Sequence, residues 1–232
     1  MSITPGKMGE LLKSYFVKQI SGTPISRTAP IVFAERITDF ISLVLIALVG
    51  AYVYDYGRNI VIAVGLFFLF VVIILSNKKV ALPIINLLEN IKVLKKYISN
   101  VHSAYESSYL LLQPKPLISM TILSLLSWSF ECLGYYIVLI NFNLNVSYLW
   151  ASFSYAFATI VGAISMLPGG LGLTEGSLTY MLIQKSSSKE VAVASTFIIR
   201  AVTLWFAVLV GIVSVGLYQR RFGKITEESF NP

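Results

Sequence analysis

Residues 31–54 read IVFAERITDFISLVLIALVGAYVY, and this stretch decides the class of fold. It is as long as the run of about 20 helical residues that crosses a bilayer core. Its first half nevertheless carries Glu35, Arg36 and Asp39. Outward from it, residues 57–75, 117–142 and 191–218 are apolar runs of spanning length. A further run, residues 146–166, ends in Leu167-Pro168-Gly169-Gly170. There proline withholds a helical N–H and the glycines relax the backbone, so the helix is expected to break. The apolar piece 171–183 follows, and residues 146–184 read as a broken helical hairpin dipping into the membrane from one side. Two full crossings would give the same topology. The expected fold is all-α: a polytopic transmembrane helix bundle forming one domain over residues 1–232.

Composition agrees. Of 232 residues, 56% are hydrophobic and 12% charged, with a mean hydropathy of +0.77. Soluble chains carry about 25% charged residues, so lipid must solvate much of this surface. The net charge of +7 does not indicate nucleic acid, because the basic residues sit in the gaps between apolar runs, where an anionic leaflet attracts them. Cys132 and His102 are the single cysteine and histidine, which leaves no intrachain disulfide and no metal or cofactor site to expect. Residues 1–18 lack the apolar core of a secretory signal, so the first span is expected to direct insertion.

Between residues 77 and 115, Ile84, Leu88, Ile91, Leu94 (or Lys95), Ile98, Val101 and Tyr105 recur at helical spacing, with Lys92 and Lys96 off the stripe. This predicts an amphipathic cytoplasmic segment at the interface, or a helix packed on the cytoplasmic end of the bundle. The segment carries Lys78, Lys79, Lys92, Lys95, Lys96 and Lys115, and the tail Arg220, Arg221 and Lys224. The positive-inside rule puts both in the cytoplasm of a multi-pass cell-membrane protein. Arg58, Lys185 and Lys189 then lie outside.

The two ends of the chain resemble one another. Pro5-Gly6-Lys7-Met8-Gly9-Glu10 opens residues 1–30, a short helical stretch to about Gln19 and a polar gap over residues 21–28, ahead of the span with Arg36 and Asp39. Pro168-Gly169-Gly170-Leu171-Gly172, with Glu175, opens another, followed by residues 185–189 and the span with Arg200 and Thr203. Proline to arginine is 31 positions in one copy and 32 in the other. The topology runs the two arginine helices in opposite directions, which makes this an inverted repeat of two Pro-Gly broken or re-entrant segments, as in many transporters. A helix starting after Pro-Gly presents unpaired N–H groups and a positive dipole end to an anion such as phosphate. The alternative is that Pro and Gly merely end helices at loops.

Glu35, Arg36, Asp39, Glu131 and Arg200 all fall within spans, where an ionised group costs roughly 2.5–3.5 kcal/mol at the helix centre. They therefore face one another or a wet cavity. Buried ion pairs add little net stability, so a polar substrate cavity is preferred here over purely structural pairing. The candidate substrate-binding residues are Gly6, Gly9, Glu10, Glu35, Arg36, Asp39, Glu131, Gly169, Gly170, Gly172, Glu175 and Arg200.

These same segments carry a resemblance. Pro5-Gly6-Lys7-Met8-Gly9-Glu10-Leu11-Leu12, Glu35-Arg36-Ile37-Thr38-Asp39, Glu131, Leu167–Glu175 and Arg200 resemble the transmembrane region of lysylphosphatidylglycerol synthases, a flippase-like family of membrane proteins, over nearly the whole chain. The resemblance implies a domain linked to moving aminoacylated phospholipid between leaflets, or found beside glycosyltransferases that act on polyprenyl lipids. The soluble aminoacyltransferase domain of the synthases has no counterpart here, so no lysyl transfer is implied. Family members usually carry spans before the first Pro-Gly motif, and the chain is expected to lack them. The expected function is translocation of an anionic phospholipid or polyprenyl-phosphate lipid. One alternative is a non-catalytic membrane partner presenting a lipid-linked substrate to a glycosyltransferase or other lipid-modifying enzyme. The other is a membrane lipid transferase using Glu131 as a base.

Overall fold

Lipid offers backbone amides no hydrogen-bonding partner, so apolar runs cross a bilayer as helices. The computed structural model describes residues 11–89, 98–185 and 187–222, and all regular structure among them is helical. Short α1 (Leu11–Ser21) precedes α2 (Ile25–Tyr54), α3 (Arg58–Leu75), α4 (Lys78–Glu89) and α5 (Ile98–Leu111). Then come α6 (Pro114–Asn141), α7 (Tyr148–Ile164), a 3-10 turn at Pro168–Gly170, and α8 (Leu173–Gln184). A π-turn at Ala201–Trp205 joins α9 (Lys189–Arg200) to α10 (Phe206–Phe222). Among the described residues four helices are long and apolar enough to cross a membrane: Ile25–Tyr54, Arg58–Leu75, Pro114–Asn141 and the continuous Lys189–Arg220. The polytopic all-α fold expected from the sequence is the fold observed.

α2 lies at the centre, packed against α1, α3, α5, α6 and α7. It begins inside the polar gap of residues 21–28 and takes Pro30 as a buried member. α7 is buried without interruption from Trp150 to Ala158. A helix surrounded on all sides must be apolar or small all round, and Ala151, Ser152, Ser154, Ala156 and Ala158 meet that need. Gly50 of α2 serves the same contact, because a Cβ there would run into the Phe153 ring.

Polar contacts give the direction of each helix. The Tyr54 hydroxyl and Ser147 Oγ lie 3.0 Å apart, and the Tyr56 ring meets Phe153 and Phe157 edge-on, so α7 stays over the Tyr54 end of α2. At the other end Ser76 Oγ donates to the Leu112 carbonyl at 3.1 Å. α2 and α6 therefore run from the Ser76 end to the Tyr54 end, and α3 returns. α9–α10 also returns, bringing Tyr218 to 4.3 Å from Phe16 between ring centroids. α3 leaves half of its side chains exposed and α10 most of them, among them Phe67, Phe70, Leu209 and Ile212, as lipid-facing helices do.

Of the amphipathic stripe expected over residues 77–115, positions 90–97 lie outside the described residues. Tyr105 is buried beside Ala81. Lys78 Nζ reaches Glu106 at 2.9 Å and sits 4.5 Å from the Tyr109 ring centre, tying α4 to α5.

Candidate functional site

α8 and α9 form an antiparallel pair in which Thr179 Oγ1 donates to Thr196 Oγ1 at 3.3 Å. One turn further from the loop, Arg200 Nε donates to Glu175 Oε1 at 2.5 Å and Nη2 donates to the Gly169 carbonyl at 2.6 Å. The other Glu175 oxygen accepts from the Gly172 N–H at 2.6 Å. One carboxylate thus satisfies a donor at the start of α8 and neutralises an arginine whose side chain is 11% exposed. Gly172, at φ 85°, takes a backbone shape that side chains resist. Arg200 is the twelfth residue of the Lys189–Arg220 helix, about 16 Å from its start at 1.5 Å per residue. The Pro168–Gly170 turn is bonded to it and so sits at the same depth. The π-turn begins at the next residue, Ala201, and such turns recur where a helix serves a functional site.

A second group gathers on α2. Arg36 Nη1 lies 3.1 Å from Asp39 Oδ2, and Nη2 lies 3.4 Å from Glu35 Oε1. Lys13 of α1 reaches Glu35 Oε2 at 3.5 Å. Asp39 Oδ1 also accepts from Ser124 Oγ at 2.6 Å and Trp128 Nε1 at 3.2 Å, both on α6. Four positions apart on a helix, Ser124 and Trp128 share a face.

Three residues on, the same face of α6 presents Glu131, whose Oε2 accepts from the Tyr155 hydroxyl at 2.7 Å. Thr203 and Arg200 lie within electrostatic reach of Tyr155. Ser124, Trp128 and Glu131 therefore form a polar stripe that starts at Asp39–Arg36 and ends at Tyr155 of α7, with α9 packed alongside α6. From Ser124 to Glu131 it rises about 10 Å. Asp39 Oδ1 and Glu131 Oε2 along it each accept from a neutral side-chain donor, the pairing a low-dielectric interior favours.

Of the residues singled out in the sequence, Glu35, Arg36 and Asp39 form one group, and Gly169, Gly172, Glu175 and Arg200 the other. Glu131 lies between them. Gly170 rests against Gly162 of α7, where a Cβ on either glycine would meet Thr174. Gly6, Gly9 and Glu10 lie outside the described residues. Reading the sequence missed Ser124, Trp128 and Tyr155. Only the spacing of Ser124 and Trp128 ahead of Glu131 could have pointed to the first two, and nothing marks Tyr155. A cleft of about 210 Å³ opens elsewhere, between Tyr56, Phe157, Gly176 and Tyr180, on the side of α8 away from Glu175 and Thr179.

Residues 1–211 match the family model described as the lysylphosphatidylglycerol synthase TM region. Among curated proteins, a UPF0104 membrane protein of Methanocaldococcus jannaschii is 25% identical over 229 residues, covering 96% of this chain and 95% of that one. One from Pyrococcus horikoshii is 26% identical over 238 residues, covering 90% of this chain and 71% of its own. One from Methanothermobacter thermautotrophicus is 23% identical, covering 92% and 70%. No solved structure matches the chain.

Proposed function

The chain belongs to the lysylphosphatidylglycerol synthase transmembrane-region family, and on that premise we propose that it moves a lipid with an anionic, phosphate-bearing headgroup between leaflets. The observation that carries this reading is the polar stripe on α6, which joins an arginine group on α2 to one on α9 through the inside of an apolar bundle. Ionised groups at span depth are costly and generally mark a substrate path. A headgroup moving along the stripe would meet hydrogen-bonding groups while its chains stay in lipid. Arg200 and Arg36 bind the phosphate, and Glu175, Asp39 and Glu131 balance the arginines or receive a cationic headgroup.

In this reading residues 165–172 are the tip of a re-entrant hairpin. α8 has 12 residues, about 18 Å of helix, against a hydrocarbon core of about 30 Å. The Ser76 end faces the cytoplasm, as the lysines of residues 78–115 and Arg220 indicate.

Proteoliposomes carrying a fluorescent phosphatidylglycerol test the proposal. Arg200→Ala should abolish translocation while the purified protein remains monodisperse and helical. An unchanged rate removes the mechanism.

A second reading draws on Glu175, which already satisfies both Arg200 and Gly172. A site so well satisfied suits a protein that holds a lipid for a separate glycosyltransferase. That reading predicts no translocation by the wild-type protein and recovery of the enzyme on affinity purification.

A further inference from the structure

Arg36 and Arg200 occupy matching places. Each is the twelfth residue of its long helix, counted from Ile25 and Lys189, and the two helices run in opposite directions. Each is preceded by a short helix folded back antiparallel, α1 on α2 and α8 on α9. The pairing register matches too. Setting Pro168 on Pro5 and Arg200 on Arg36 carries the Glu175–Arg200 pair to positions 12 and 36. The contact found is Lys13 with Glu35, one residue along on each helix. The side chains three past each arginine are both polar: Asp39 accepts from Ser124 and Trp128 of α6, and Thr203 donates to the Ile199 carbonyl of its own helix.

Depth separates the two groups. Each arginine lies about 16 Å from the start of its helix, one counted from the Ser76 end and the other from the Tyr54 end. The α6 contacts agree, because Asp39 meets Ser124 and Trp128 while Tyr155 meets Glu131 nearer the Tyr54 end. Each arginine is also held differently: Arg36 by two carboxylates, and Arg200 by one carboxylate and a carbonyl.

Resting on the translocation reading, we propose that these are two separate stations for one headgroup chemistry. Arg36 takes a phosphate-bearing headgroup from the leaflet at the Ser76 end, and Arg200 takes it from the leaflet at the Tyr54 end. The α6 stripe of Trp128 and Glu131 is the passage between them. From Ser124 to Glu131 the stripe covers about 10 Å, the rise of seven residues along one helix face. Carboxylates at each station stand in for the anion when no lipid is bound, so neither arginine is left uncompensated at any stage.

The experiment uses phosphatidylglycerol with a photoactivatable group beside its headgroup. It is added to one side of right-side-out or inverted vesicles carrying the full chain, flashed within seconds, and the labelled peptides are mapped. From the Tyr54 side the wild-type protein should be labelled in residues 172–205, and from the Ser76 side in residues 13–39. Losing a charge-assisted hydrogen bond to phosphate corresponds to a roughly tenfold loss of occupancy. Arg36→Ala should therefore lower labelling of residues 13–39 about tenfold and leave residues 172–205 within a factor of about two. Arg200→Ala should do the reverse. The wild-type map decides the matter even where a variant fails to fold. Labelling of both segments from one side alone means a single shared pocket and overturns the two stations, with translocation intact. Absence of label in both segments while fluorescent lipid still crosses also overturns them. Absence of label together with absence of crossing removes both proposals.

Discussion

At the scale of single residues, Glu175 is the member on which most others depend. Its two oxygens serve Arg200 and the Gly172 N–H, so Glu175→Ala leaves a mostly buried guanidinium without its counter-charge. Breaking such a pair costs about 3 kcal/mol or more. Reversible unfolding in mixed micelles should show a loss of that order, with Glu175→Gln in between because its amide oxygen still accepts. A loss below about 1 kcal/mol would mean that water compensates Arg200 instead. Tyr155→Phe is the milder case: it removes the hydroxyl bound to Glu131 and keeps the ring. The same assay should register about 1–2 kcal/mol. The difference between these two residues shows what was legible in the sequence. Glu175, Arg200 and Asp39 stand out because a charge in an apolar run is rare. Tyr155, Ser124 and Trp128 do not, because a neutral polar side chain in such a run is ordinary until packing supplies its partner.

At the scale of elements, the break between α7 and α8 was legible in the Pro168-Gly169-Gly170 triplet, since proline and positive-φ glycines disrupt helices by local chemistry. What lets the two arms close was not. Gly162 lies mid-run in an apolar segment, and a lone helical glycine announces nothing. Its meaning comes from Thr174 and Gly170, which approach only once the hairpin has folded. Gly162→Ala should therefore destabilise the protein by about 1–3 kcal/mol, the range for overpacking a filled site. Thr174→Ala in the same chain should recover part of that, because the Thr174 hydroxyl is the nearest atom in the way. Unfolding of the two single variants and the double variant gives the coupling directly, and strict additivity would argue against the contact. The π-turn at Ala201–Trp205 had no sequence mark either. It arises where α9, fixed to α8 through Arg200, continues into the lipid-facing α10.

At the scale of the whole molecule, four spans and their alternation follow from length and hydropathy alone, because lipid leaves an apolar run few choices. Which helix sits in the middle does not follow. α7 is the shortest of the large apolar helices and yet the most enclosed, since its small side chains let neighbours approach. Orientation rests on the lysines and arginines between spans, and the lone cysteine makes it testable. Cys132 is fully buried in the core, so the native chain should react little with a membrane-impermeant maleimide. Cysteines placed by Arg58→Cys and Lys185→Cys, at exposed positions near the Tyr54 end, should label in intact cells. Lys79→Cys and Arg220→Cys, exposed at the other end, should label only after the membrane is opened. Complete reversal of the pattern would turn the molecule over and exchange the leaflets served by Arg36 and Arg200. Labelling of Arg58→Cys and Lys185→Cys from different sides would mean that α7 and α8 do not return to the face they entered. The turn at Pro168–Gly170 would then no longer lie at the depth of Arg200, and the headgroup path along α6 would lose its station at the Tyr54 end.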